Sequence, residues 1–219
     1  MLQQLQPIVQ YALHHTNAVF QGVQQHLYLV AIPVLLGICI GFPLGISAVR
    51  WPQWGSIALS LVNTFRVIPS IAVLFLTIPL WGLSDGTALF ALTILVCPPI
   101  LLNTHAGFQS LDPAILEVAQ GLGMSSWQQF WRVEFPLALP IVRTGIKTAV
   151  LEAIASATLA AFIGGGGLGQ FIVLGFATYD FNILLVGAIP IAVLAILAEM
   201  LLGQTSIRDT GDTTAKFKR

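Results

Sequence analysis

The run 27-LYLVAIPVLLGICIGFPLGISAV-49 holds no charged side chain from end to end. Four further apolar runs follow it, at roughly Ile57–Trp81, Ala88–Asn103, Leu137–Ile163 and Ile183–Gly203. A helix that crosses hydrocarbon needs about 20 largely apolar residues. It must be a helix, because lipid offers no partner for a free backbone N–H or C=O. Charged residues make up only 8% of the chain, against about 25% in a soluble domain, so no solvated surface can be built around these runs. The sequence therefore specifies an all-α integral membrane protein with about five transmembrane helices. Prolines 33, 43, 69, 79, 98, 99 and 190 lie in or beside the runs, and the second run is expected to bend near Pro69. The opening segment, 1–26, has no basic patch ahead of a compact apolar core, so it reads as an extracytoplasmic segment rather than a cleaved signal peptide. A transmembrane domain over 27–203 and a tail over 204–219 complete the expected organisation.

Orientation follows from the basic residues, which accumulate on the cytoplasmic side. With the amino terminus outside, Arg50 and Arg66 flank the first inner loop. Arg132, Arg143 and Lys147 surround the second, and Arg208, Lys216, Lys218 and Arg219 lie in the tail. All 9 basic residues then fall inside, and segments 1–26, 82–87 and 164–182 carry none. The expected topology is amino terminus out, carboxyl terminus in, with a cytoplasmic loop over 104–136.

That loop contains the polar stretch 117-EVAQGLGMSSWQQFWRVEFPLALP-140. Asp112-Pro113 is a helix start, with an N-cap carboxylate and proline in the first turn. A short helix over Ala114–Gln120 places Ile115, Val118, Ala119 and Leu122 near one side. Gly121 and Gly123 can take the left-handed conformation that ends it. Ser125 and Gln128 have capping-box spacing and open a second short helix through Trp131, which Pro136 and Pro140 are expected to break before the fourth span. The physical pattern alone allows an ordinary structured loop as readily as a docking element.

Glu117-x-Ala119-x-Gly121-x-Gly123, followed by Phe135-Pro136-Leu137-x-Leu139-Pro140, resembles the EAA loop of binding-protein-dependent ABC importer permeases (the MetI-like type). The family pattern is E-A-A, three residues, glycine, about nine residues, then I/F-x-L-P. Val118 departs from it at the second position. The stretches 41-GFPLGISAVR-50, 66-RVIPSIAVLFLTIPLWGL-83, 154-IASATLAAFIGGGGLGQFI-172 and 187-GAIPIAVLAI-196 resemble the branch that imports quaternary-amine osmoprotectants: glycine betaine, carnitine and choline. The resemblance implies a multi-pass permease subunit of the bacterial plasma membrane. It implies a second permease subunit, in a homodimer or heterodimer, separate ATPase subunits that hold ATP and magnesium, and an extracytoplasmic binding protein or domain. The chain itself is expected to bind no cofactor, metal or nucleic acid and to catalyse no bond change. The 112–136 hairpin becomes the coupling element, with Glu117, Ala119, Gly121, Leu122, Gly123, Pro136 and Pro140 as its contact and shape residues.

Other motifs compete for attention. Gly164, Gly166 and Gly169 satisfy G-x-G-x-x-G, but no strand precedes them, so a tight turn that lets helices pack closely is the better reading than a dinucleotide site. His14, His15, His26 and His105 build no catalytic or metal set and read as solvated or interfacial. Cys39 and Cys97 lie inside apolar runs and read as small core residues. Glu199 reads as structural. Glu152 sits in the middle of the fourth run, where a charge costs about 2.5–3.5 kcal/mol. Thr148, Glu152 and Ser156 recur every four residues and so share one helix face. That polar stripe either lines a translocation path or packs against a neighbouring helix. Asn63, Thr64 and Arg66 mark a second polar patch. Competing functions are an ABC permease for another small solute, such as methionine or another amino acid, and an intramembrane enzyme or stand-alone channel.

Overall fold

The computed structural model describes the backbone of residues 2–216 and the side chains of 8–203. The order is α1 (Leu2–His14), α2 (Thr16–Arg50), α3 (Pro52–Phe65), α4 (Ser70–Trp81), α5 (Asp85–Gln109), α6 (Pro113–Gly121), α7 (Ser126–Gln129), a π-helical turn (Phe130–Glu134), α8 (Phe135–Ala160) closed by a 3₁₀ turn (Ala161–Ile163), α9 (Gly169–Thr178) and α10 (Phe181–Lys216). Four helical stretches are each long and apolar enough to cross a membrane: Thr16–Arg50, Asp85–Gln109, Ser126–Ile163 and Phe181–Gly203. α3 and α4 make a fifth when taken as one broken span, bent by 100° between Phe65 and Ser70. The expected bend at Pro69 is this break: Pro69 is the N-cap of α4.

α2, α5 and α8 form the centre, with α5 between the other two. Leu29, Leu92, Val96, Ile100, Ala149, Ala153 and Ala157 fill the contact. The α2–α5 crossing is close because Gly37, Gly41 and Gly45 present bare backbone to α5. A Cβ on Gly45 would lie 2.6 Å from Thr104 Cβ and 2.8 Å from the Leu101 carbonyl. Lipid supplies no hydrophobic drive between helices, so such small-residue contacts carry the association. α10 is tied to α8 by the ion pair of Lys147 with Glu199, which gives Glu199 its structural role. Leu35, Leu36, Ile57, Leu61, Ile196 and Leu197 point outward from the described chain.

Three expectations change. The first span begins at Thr16, well before Leu27, because a search for apolar runs stops at Gln24, Gln25 and His26 while the helix backbone does not. His26 is consequently not solvated: it is fully buried beneath the glycine loop, whose Gly167 stands 3.3 Å from the His26 backbone at its would-be Cβ. Gly164, Gly166 and Gly167 all have positive φ, and Gly167 N–H donates to Gln25 Oε1 at 3.0 Å. This loop is the tight turn anticipated, folded down onto α2. Third, Pro136 and Pro140 do not break the fourth span. Pro136 lies in the first turn of α8 and Pro140 in its interior. Immediately upstream, the π turn widens the helix, with Phe135 N–H bonded to the Phe130 carbonyl. Widening makes room for a ring that would clash in a regular turn. The side chains of the expected tail, 204–219, lie outside the described residues.

Gly45→Ala should destabilise the detergent-solubilised protein by the roughly 1–3 kcal/mol that overpacking costs, seen as a lower Tm. Gly86→Ala, at a site where the added methyl meets only Ser84 Oγ at 3.8 Å, should leave Tm unchanged in the same differential scanning measurement.

Candidate functional site

Two groups of residues have chemistry beyond packing: the hairpin between α5 and α8, and a charged cavity at the α3–α4 break. The hairpin starts as its sequence demands. Asp112 accepts a hydrogen bond from Ala114 N–H at 2.9 Å, and Pro113 occupies the first turn. α6 ends in a Schellman motif, with Met124 N–H donating to the Ala119 carbonyl at 3.2 Å and Gly123 N–H to the Gln120 carbonyl at 2.9 Å. Gly123 takes φ +77°. Gly121 does not share that conformation: it is the last helical residue of α6, because one left-handed residue suffices to end a helix. The Ser125–Gln128 capping box forms in both directions, at 3.3 and 3.0 Å. The second arm is not a separate helix ending at Trp131. One turn of α7 passes through the π turn directly into α8, so the hairpin's second arm and the span are one rod.

Its outer surface is apolar. Ile115, Val118 and Leu122 stand at i, i+3 and i+7 on α6 and are 43%, 62% and 73% exposed. Glu117 is exposed beside them. Ala119, one turn on from Ile115 at the edge of the same side, is buried, so it sets the fit of α6 against its own chain. No atom lies within 4 Å of a Cβ added at Gly121 or Gly123. The valine that departs from the family pattern thus forms the middle of the exposed ridge. Pro136 and Pro140 lie away from this ridge, on α8.

The inner surface is fastened to the bundle. Phe130 stacks on Phe108 of α5 with centroids 5.7 Å apart and planes within 8°. Phe42 of α2 meets Phe108 and Phe135 edge-on at 6.2 and 6.0 Å, and Trp131 packs on both Phe130 and Phe135. Each such pair contributes about 0.5–1.5 kcal/mol beyond its buried area. Arg50, at the end of α2, lies 6.0 Å above the Phe130 ring and 3.6 Å from Glu134. Gln129 donates to Glu134 at 3.0 Å. A cavity of about 390 Å³ between Arg50, Phe108, Leu116, Gln120, Gln129 and Glu134 remains under the hairpin. The sequence shows these aromatics as a run, Trp127, Phe130, Trp131 and Phe135, but not their partners on α2 and α5.

The second group is a cavity of about 300 Å³ at the α3–α4 break, lined by Arg66, Ser70, Glu152 and the apolar side chains of Phe65, Val73, Ile94, Leu95 and Pro98. Thr148, Glu152 and Ser156 do lie on one face of α8, in three different settings: Thr148 is exposed, Glu152 half-buried in the cavity and Ser156 buried. Thr148 Oγ1 donates to the Thr144 carbonyl at 3.0 Å. Only Glu152 of the three lines this cavity. Arg66 is exposed at the end of α3, and the break brings it to the same cavity as Pro98 of α5. Asn63 and Thr64 line an adjoining open hollow.

Residues 37–204 match the family model described as binding-protein-dependent transport system inner membrane component. The chain is 39% identical over 186 residues to the glycine betaine/carnitine/choline transport system permease protein OpuCB of Bacillus subtilis (strain 168), covering 85% of this chain and 86% of that one. It is 38% identical to the osmoprotectant import permease protein OsmW of Salmonella typhimurium, covering 91% and 95%. Identity to the choline transport system permease protein OpuBB of Bacillus subtilis is 35%, covering 89% and 90%. Among solved structures, the inward-facing MetNI methionine ABC transporter superposes with a TM-score of 0.76 at 19% identity, over 88% of this chain and 96% of that one.

Gly123→Val should place a β-branched residue at positive φ, costing about 1–2 kcal/mol. Gly123→Asn, which tolerates that region, should cost less. Amide exchange by mass spectrometry should rise across 113–129 in the valine variant and stay near parent level in the asparagine variant.

Proposed function

The chain belongs to the family of binding-protein-dependent transport system inner membrane components, and from that premise we propose that it forms the translocation path for a quaternary-amine osmoprotectant, coupled to its ATPase through the 112–136 hairpin. It is a multi-pass permease of the bacterial inner membrane, and subunits of this family are not themselves catalytic. The substrate reading is carried by one observation. Relatives at 33–39% identity, aligned over 85–91% of this chain, are named for glycine betaine, carnitine, choline or osmoprotectant import. The methionine transporter resembles this chain at 19% identity, which is a likeness of fold.

The working complex contains this permease, a second permease subunit, ATPase subunits that hold ATP and magnesium, and an extracytoplasmic binding protein. No Walker A pattern occurs in the sequence, in keeping with ATP being held elsewhere. The ridge of Ile115, Val118 and Leu122, with Glu117 at its side, has the form of a docking surface: an apolar stripe on a short helix, with open space at Gly121 and Gly123 for close approach. Gly123 shapes the turn, Ala119 seats α6 on its own chain, and Pro136 and Pro140 shape the rod behind it. The amino terminus lies outside and the hairpin inside, as the distribution of basic residues supports.

Vesicles carrying the permease, its ATPase and its binding protein should import glycine betaine, carnitine or choline in an ATP-dependent manner. Import of none of these, with import of an amino acid instead, would overturn the substrate reading. Leu122→Asp, on the exposed ridge, should leave membrane insertion intact and lower uptake and coupled ATP hydrolysis on the order of tenfold or more. Parental uptake by that variant would remove the docking role from α6. For topology, with Cys39 and Cys97 replaced by alanine, single cysteines at Ser126 and at the exposed Tyr179 should behave oppositely toward an impermeant thiol reagent in intact cells. Labelling at 126 from outside would invert the orientation.

A further inference from the structure

Import of a quaternary amine does not by itself explain how the permease could tell one such solute from another, and the cavity at the α3–α4 break bears on that. Among the described residues, two oppositely charged pairs are closed: Arg50 with Glu134 at 3.6 Å and Lys147 with Glu199 in direct contact. Glu152 and Arg66 line one cavity, yet form no ion pair. Two residues of opposite charge thus border one cavity of about 300 Å³ without closing on each other, a volume at the lower end of small-molecule sites. In a poorly screened site, separated charges of this kind attract a molecule that bridges them.

The remaining lining narrows the chemistry. Phe65, Val73, Ile94, Leu95 and Pro98 offer methyl-compatible surface, and Phe65 adds an aromatic ring, a group that attracts a cation lacking N–H donors. A guanidinium offers paired donors suited to a carboxylate. The geometry points to a zwitterion subsite, in which Arg66 takes the carboxylate of a betaine-type solute and Glu152 faces its quaternary ammonium. Choline has the ammonium but no carboxylate and leaves Arg66 without a partner. The pair therefore favours glycine betaine and carnitine over choline at the level of the permease. Arg66 is the specificity-determining residue, and Glu152 serves every substrate of the class.

The inference rests on the quaternary-amine reading, and the test separates the two. Permease assembled with its ATPase in lipid nanodiscs, without binding protein, is heated in the presence of saturating glycine betaine, choline or acetate. Glycine betaine should raise Tm in the parent, choline less, and acetate least. Arg66→Gln should lose the preference for glycine betaine over choline, and Glu152→Gln should lose the response to both. Equal stabilisation of the parent by glycine betaine and choline, no response of the parent to glycine betaine, or a preference that survives in Arg66→Gln would overturn the subsite. If Arg66→Gln fails to assemble, Arg66→Lys answers instead: a weakened glycine betaine response supports the subsite and an unchanged one overturns it. Uptake by parental vesicles with binding protein is measured in parallel. Absence of any quaternary-amine uptake there would overturn the functional reading itself, whereas uptake combined with a failed Tm pattern would overturn only the subsite.

Discussion

The close crossing of α2 on α5 is the contact on which the rest of the molecule depends. In water, two apolar helices are pushed together by solvent. In lipid they are not, and surface fit must hold them. Glycines 37, 41 and 45 provide that fit by letting α5 approach bare backbone, and α8 then packs against both α5 and α2. Three things are positioned by this frame. Phe42 and Arg50 on α2 receive the base of the hairpin, Pro98 on α5 forms a wall of the charged cavity, and Glu152 on α8 projects into it.

The hairpin and the cavity are joined by more than proximity. α7, the π turn and α8 are continuous, so the residues that form the capping box and the half-buried Glu152 belong to one helical rod. A force applied at the outer ridge of α6 reaches that rod through the Schellman turn and the aromatic packing around Phe130. Arg50 and Glu134 fix the rod to the end of α2, which makes α2 the natural counter-element to any displacement of α8. The proposed coupling role draws on this continuity of the hairpin's second arm with α8.

Much of this was legible in the chain, and the rest was hidden for identifiable reasons. The spans, the bend at Pro69, the N-cap at Asp112 and the capping box at Ser125 are local events, each decided by a few neighbouring residues. The uninterrupted passage through Pro136 was not legible, because a proline can be accommodated by widening a helix as well as by ending one. His26 was misjudged because burial beneath a glycine loop is decided by residues well over a hundred positions away. That Arg66 and Glu152 line one cavity was hidden for a related reason: it depends on the angle between two helices, which no local pattern encodes. The coupling-loop residues stood out as candidates through family resemblance and the Thr148, Glu152 and Ser156 stripe through its spacing, while the burial of Ala119 and the separate settings of Thr148 and Ser156 emerged only from the fold.

The broken span has an electrical consequence. Between Phe65 and Ser70 the chain leaves helical geometry: the Thr64 and Phe65 carbonyls accept from Val67 and Ile68 N–H in tight turns, and the i to i+4 ladder of an unbroken helix is interrupted. Hydrocarbon cannot satisfy backbone groups that leave such a ladder, so the break must face protein or water. Water that entered this notch would replace part of the insulating layer, and a membrane potential would then fall over a shorter distance there than beside an unbroken helix. A solute that carries both charges has no net valence to be driven by that voltage. It does have a dipole, and a steep local field would turn it.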